Sequence, residues 1–361
     1  MNGRNATAFV AACLAMTGCT SVPRTVEGPV KVEVVRSDSG YVLLRGGEPY
    51  VVRGAGMEVD DIARFAAYGG NSIRSWTTDD RRQDVGALLD AAHAHGVTVA
   101  LGLPMRAERH GMDYDDPAAV AAQRESLRRD VLRYRDHPAL LAWIVGNELN
   151  HSYANPKVFD AVNEVARMIH ELDPNHPVTT PLAGFKPDLI AAVLARAPEL
   201  DFLSFQLYGG LFDLPERIRS AEFTRPFMVT EWGTVGYWEV EKTGWGAPVE
   251  LTSSEKADVI QRAWREVLGA FPGQMIGSYV FFWGQKQERT PTWFGLLLES
   301  GEVTEAVDIM HFAWSGRWPA NRTPRVHALR LDGREARDSV VLLAGTTYEA
   351  ALDVVDPDGD P

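Results

Sequence analysis

The sequence predicts an α/β fold: a (β/α)8 barrel with a short N-terminal β-hairpin and the start of a C-terminal β-rich extension. Two observations lead there. Eight short apolar segments recur along the chain, and longer stretches with apolar residues three and four apart separate them. Eight is also the number of parallel strands that closes such a barrel. The chain has 361 residues, 45% hydrophobic and 24% charged, which is enough for a barrel of about 250 residues with extensions at both ends.

The strand candidates are Tyr50 to Gly56, Ser72 to Trp76, Thr98 to Leu103, Leu140 to Gly146, Pro177 to Pro181, Phe202 to Leu207, Phe227 to Glu231 and Ile276 to Trp283. Helical periodicity marks Val85 to His95, Ala118 to Tyr134, Lys157 to Leu172, Pro187 to Ala195 and Ser253 to Ala270. Ser253, followed by Glu255, is the expected cap of the last of these, and Gly96 the expected stop of the first. Before the barrel, Val30 to Val52 reads as two or three short strands, with turns at Ser37-Asp38-Ser39-Gly40 and Gly46-Gly47, closing the entrance or the floor. After Pro319 the pattern becomes polar loop and then strand, with candidates at Val326 to Leu331 and Val340 to Leu343. The expected organisation is a leader at 1–19, a linker and hairpin at 20–49, the barrel at 50–318, and a β-rich extension at 319–361 that would open an immunoglobulin-like module.

The leader has Arg4, an apolar stretch from Ala8 to Met16, and Thr17-Gly18-Cys19, the pattern of a secretory signal. That stretch is shorter than the ~20 residues of a membrane span. Small residues directly before a cysteine resemble a bacterial lipoprotein cleavage box, which implies lipidation at Cys19, export, and anchoring in the bacterial envelope through lipid alone. Cys13 and Cys19 are the chain's two cysteines, so thiol catalysis and cysteine-ligated zinc are not expected in the body. His93 and His95 lie two apart, not the four apart that puts two ligands on one helix face, so no metal or other cofactor is expected. A formal net charge of −13 repels polyanions, which argues against nucleic acid as a partner.

Catalytic side chains of such barrels project from the carboxyl ends of the strands. The fourth candidate strand is almost wholly apolar and delivers Asn147-Glu148; the seventh delivers Glu231-Trp232-Gly233. Two carboxyls facing each other across a barrel mouth suit glycosidic bond cleavage, in which one protonates the leaving oxygen and the other stabilises or traps the sugar cation. A separation of about 5 Å would make the second a nucleophile and the outcome retention. The aromatic residues Trp76, Tyr153, Trp232, Tyr237, Trp238, Trp245 and Trp293 follow strands and would offer stacking faces for sugars.

Gly146-Asn147-Glu148, Thr230-Glu231-Trp232-Gly233, Asn71-Ser72-Ile73-Arg74-Ser75-Trp76, Tyr208 and Trp283 occur in the order found in the TIM-barrel domain of family 2 glycoside hydrolases, which the chain resembles from about Tyr50 to Trp314. The resemblance implies a retaining mechanism with Glu148 as acid/base and Glu231 as nucleophile. It further implies that Arg74 holds the nucleophile ionised, Asn147 binds the sugar 2-hydroxyl, Tyr208 donates to Glu231, and Trp283 forms the floor under the sugar; of the aromatic set, Trp76 and Trp232 are expected as further substrate contacts. The expected substrate is a β-linked oligo- or polysaccharide such as a β-glucan. A likeness to fungal β-glucan transferases leaves transglycosylation as an alternative outcome, and a non-catalytic glycan-binding lipoprotein is the alternative of a different class.

Overall fold

A computed structural model describes residues 28–58, 61–79, 81 and 84–360. The leader and Cys19 lie outside the described residues. The barrel strands are Gly54–Gly56, Ser72–Arg74, Thr98–Leu103, Leu140–Val145, a fifth in two pieces (Val178–Thr179 and Pro181–Ala183), Leu203–Gln206, Phe227–Trp232 and Met275–Phe281. All their ladders are parallel, and the eighth strand pairs with the first through Tyr279 and Gly54. The fifth strand joins the circle through both pieces: Val178 pairs with Trp143 on one side and Pro181 with Ser204 on the other. At the break, the Thr180 hydroxyl donates to the Val145 carbonyl at 2.7 Å instead of leaving it unpaired.

Strands buried on both faces read as continuous apolar runs, and Leu140–Val145 is buried throughout. The covering helices follow local signals. Asp116 caps the helix Pro117–Tyr134, with proline in its first turn, and Lys157–Leu172 turns its buried face to the sheet. Gly96 adopts the left-handed conformation (φ 68°) just past the helix Val85–Ala94. The cap of the helix Ser253–Arg262 is Thr252 rather than Ser253. Its hydroxyl accepts from Glu255 N, and the Glu255 carboxylate reaches back to Thr252 N, so the three-residue spacing to an acid sets the start. Helices Ile62–Ala67, Leu214–Ser220 and Glu305–Ser315 were not anticipated; the first two are short, with little room for a periodic signal.

The N-terminal strands Val32–Ser37, Gly40–Arg45 and Glu48–Pro49 form an antiparallel sheet. It closes the floor. Val32 N donates to Asn175 O (2.7 Å), Tyr41 N to Gly273 O (2.6 Å) and Arg45 to Pro138 O (2.8 Å), each acceptor lying just before a barrel strand begins. Val32 and Leu43 pack with Leu141, Phe202, Met228 and Ile276 inside that end. Gly40 meets Gly273 so closely that a Cβ on Gly40 would sit 2.2 Å from the Gly273 carbonyl oxygen, so this contact needs glycine.

After the helix Glu305–Ser315, Arg325–Leu331 pairs antiparallel with Ala350–Val355. The expected strand at Val340 to Leu343 is absent: that apolar run is irregular, and the ladder beside Arg325–Leu331 is made by the later segment. Arg325 ties this hairpin to the barrel's helices through Glu305 and Asp258, both at 2.6 Å.

Candidate active site

Just past the fourth strand, Gly146 is left-handed (φ 70°); a Cβ there would lie 2.8 Å from the buried Leu149 side chain. Asn147 follows, and then Glu148, itself left-handed with φ 47°. A non-glycine residue in that region is uncommon and tends to occur where a side chain must be aimed. The Glu148 amide donates to Pro181 O at 3.2 Å, and its carbonyl accepts from His151 N (2.9 Å) and from Arg109.

Glu231 lies near the end of the seventh strand and is 7% exposed. Four donors converge on it. Arg74, Trp76 Nε1 (2.9 Å) and Gln206 Nε2 (3.0 Å) reach Oε1, while the Tyr208 hydroxyl donates to Oε2 at 3.0 Å. Arg74 is fully buried and also donates to Asn147 Oδ1 at 2.5 Å, where Gln206 Nε2 adds a second bond at 2.8 Å. A carboxylate is acceptor-only and accommodates this set, whereas a protonated acid would turn one oxygen into a donor. The same two bonds occupy the Asn147 oxygen and leave its amide NH2 as a donor at the cavity.

Glu148 has the opposite environment. Burial, and next the charge of Glu231, push its carboxyl up to about 7, against the opposing pull of Arg109 and Arg74. Burial and then the charge of Glu231 also raise the Tyr208 phenol well above its ordinary range, so it remains a neutral donor. The arrangement pairs a carboxyl that keeps its proton near neutrality with a carboxylate held by four donors.

Both face one cavity of about 1150 Å3. Trp76, Tyr208, Tyr237, Trp238, Phe281 and Phe282 supply aromatic surface to it, and Lys286 sits over the rings of Phe281 and Phe282 at 5.5 and 5.8 Å. Of the residues singled out in the sequence, Arg74, Trp76, Asn147, Glu148, Tyr208, Glu231, Tyr237 and Trp238 meet here. Tyr153, Trp232, Trp245, Trp283 and Trp293 do not line the cavity. Side chains alternate along a strand, so with Glu231 facing the cavity Trp232 faces the helical layer, 1% exposed. The expectation that Trp283 forms the floor under the sugar fails because the ladder ends at Phe281. Past it, Trp283 turns outward and packs 5.2 Å from Phe65 and 6.2 Å from Trp314, while Phe281 and Phe282 present the surface expected of Trp283.

Sequence reasoning missed Gln206 and Arg109. A glutamine closing a buried strand was the available signal for the first; the second sits in the short helical turn Glu108–His110 and had none. Among the described residues, no group of three His, Cys, Asp or Glu side chains is placed to hold a metal ion.

Fold and site together define a barrel with paired glutamates at the carboxyl ends of its fourth and seventh strands. Residues 87–237 match the family described as "Glycosyl hydrolases family 2, TIM barrel domain". The chain has that family's barrel fold, consistent with the retaining glycoside hydrolases of the same clan. Among curated proteins it is similar to the "Probable mannan endo-1,4-beta-mannosidase C" of Aspergillus terreus, at 28% identity over 172 residues, covering 40% of each. Among solved structures it resembles a GH2 beta-galacturonidase from Eisenbergiella tayi bound to galacturonate (TM-score 0.60, 16% identity, 80% of this chain and 54% of that one). It also resembles the Bifidobacterium dentium beta-glucuronidase complexed with coumarin-3-O-glucuronide (TM-score 0.57, 17% identity, 80% and 49%). The matched region thus spans about half the length of these two enzymes, at 54% and 49%, and the likeness to them is one of fold.

Proposed function

We propose that the protein is a retaining glycoside hydrolase that cleaves a neutral β-linked glycan by double displacement, with Glu148 as acid/base and Glu231 as nucleophile. The observation that carries this reading is the opposed state of two carboxyls lining one cavity: Glu148 raised to about 7 and Glu231 held by four donors. In the first step the Glu148 proton passes to the glycosidic oxygen while Glu231 bonds to the anomeric carbon, and the aglycone leaves. Formation of the ester removes the charge of Glu231, one of the causes that raised Glu148. Glu148 then takes a proton from water, which attacks the anomeric carbon and frees Glu231. Three donors occupy Oε1, so Oε2, with Tyr208 as its donor among the described residues, is the attacking atom. The Asn147 amide serves the sugar 2-hydroxyl.

Charge supports a neutral substrate. Beside the protonated Glu148, the lining carries Glu58, Glu231, Glu239 and Glu288 against Arg217 and Lys286, so a uronate, the sugar named for both structural relatives, is disfavoured. Aromatic faces and a cavity of about 1150 Å3, above the usual range for small-molecule sites, suit several units of a polysaccharide such as a β-glucan. Defined β-glucans, mannans and aryl β-glycosides, with NMR of the first-formed anomer, test the reading. Glu231→Ala and Glu148→Ala should each lower turnover by several orders of magnitude. On an activated aryl glycoside, azide should restore Glu148→Ala with a glycosyl azide of retained configuration and Glu231→Ala with one of inverted configuration. Full activity in either variant, or an inverted first product from the wild type, would end the assignment.

A further inference from the structure

We propose that Arg109, which is not part of the cavity lining, is the positioning residue of the acid/base: it clamps the backbone of Asn147–His151 in the left-handed turn that aims Glu148 into the cavity. This rests on the reading of Glu148 as acid/base.

The loop after the fourth strand contains two left-handed non-glycine residues, Glu148 (φ 47°) and Ser152 (φ 55°), a conformation that persists only where surrounding contacts enforce it. Contacts hold the loop on both flanks. On the fifth-strand side, Asn150 exchanges two hydrogen bonds with Ala183, at 3.0 and 2.8 Å, and Pro181 O takes the Glu148 amide at 3.2 Å. On the other side stands the short turn Glu108–His110, which follows the third strand. Its Arg109 guanidinium donates to three carbonyls of the loop: Glu148, Asn147 at 3.2 Å and His151 at 3.4 Å. The neighbouring Glu108 carboxylate accepts from the amides of Ala154 (2.7 Å) and Asn155 (3.1 Å).

The guanidinium fork spans the three carbonyls from two nitrogens, Nη1 to Glu148 and His151 and Nη2 to Asn147, whereas an ammonium offers its N–H groups from a single point on a flexible stem. Losing the clamp frees the turn that fixes where the Glu148 carboxyl points, and misplacement of a reacting group by about 1 Å costs on the order of 100-fold in rate. Arg109 has a second, separable effect. Its charge opposes the rise of the Glu148 pKa, so its removal moves that pKa higher still.

The test uses the full chain as Arg109→Met, Arg109→Lys and Glu148→Gln, with two readouts. The first is kcat and KM on an aryl β-glycoside. The second, independent of turnover, is the pH titration of the Glu148 carboxyl carbon in protein carrying 13C-glutamate, its signal identified by its loss in Glu148→Gln. Arg109→Met should lower kcat on the order of 100-fold with KM nearly unchanged, and should titrate Glu148 at higher pH than the wild type. Arg109→Lys should return the titration toward the wild-type pH, since it keeps the charge, while kcat stays low for want of the fork. An unmoved Glu148 titration in Arg109→Met, or wild-type kcat in either variant, overturns the inference. Should Arg109→Met fail to fold, the kcat of Arg109→Lys decides. A Glu148→Gln enzyme of full activity would instead refute the acid/base reading and leave the titration comparison standing.

Discussion

The two ends of the barrel are built from the same eight strands and are chemically opposite. At the amino ends, the hairpin lays Val32 and Leu43 against Leu141, Phe202, Met228 and Ile276, and its polar backbone atoms pair with the loops that start the strands. At the carboxyl ends, Arg74, Gln206, Glu231 and Asn147 form a buried polar network around an open cavity. The floor gains stability from apolar burial that any well-fitting set of side chains would supply. The mouth brings charges out of water and holds a non-glycine residue left-handed, arrangements that cost stability and suit chemistry.

The sharpest way to break this contrast is to remove one charge of the buried pair. Arg74→Met leaves Glu231 without its cation, and such losses cost about 3–5 kcal/mol. The expected result is a large fall in Tm together with loss of turnover, measured by calorimetry and by assay on the same preparation. A Tm within a degree of wild type would show that Glu231 does not depend on Arg74. At the floor the two effects should separate. Leu43→Ala removes a side chain 2% exposed and should cost about 2–5 kcal/mol in denaturant unfolding, with kcat and KM per folded molecule unchanged. A change in kcat would couple the floor to the site.

The smallest expected effect has the reverse sign. Folded Glu148 keeps its proton to about pH 7, while in the unfolded chain it titrates near its ordinary 4.5. Between those values the folded state holds a proton that the unfolded state has lost, so stability falls as pH rises, and the full penalty is present above about 7. Glu148→Gln never carries the charge. It should melt a few degrees above the wild type at pH 8 and at the same temperature at pH 4. Equal melting temperatures at pH 8 would mean that ionising Glu148 costs the fold nothing. The same pKa predicts that kcat/KM declines on the alkaline side of about pH 7, as the acid loses its proton.

From the sequence alone came the strand count, the helices with strong periodicity, and the two glutamates, because apolar runs, three- and four-residue spacing and a polar residue at the end of an apolar strand are local properties. Trp232, expected to contact substrate, was a misreading that local alternation could have corrected, since its neighbour Glu231 takes the cavity face. Trp283 was not legible locally: its direction depends on the ladder ending at Phe281, which the pairing of the eighth strand with its neighbours decides. Tertiary structure alone could bring Gln206 to Glu231, and Arg109 to the carbonyls of a loop 38 to 42 positions further on. These are contacts between separate strands and loops, and they exist only once the barrel has closed.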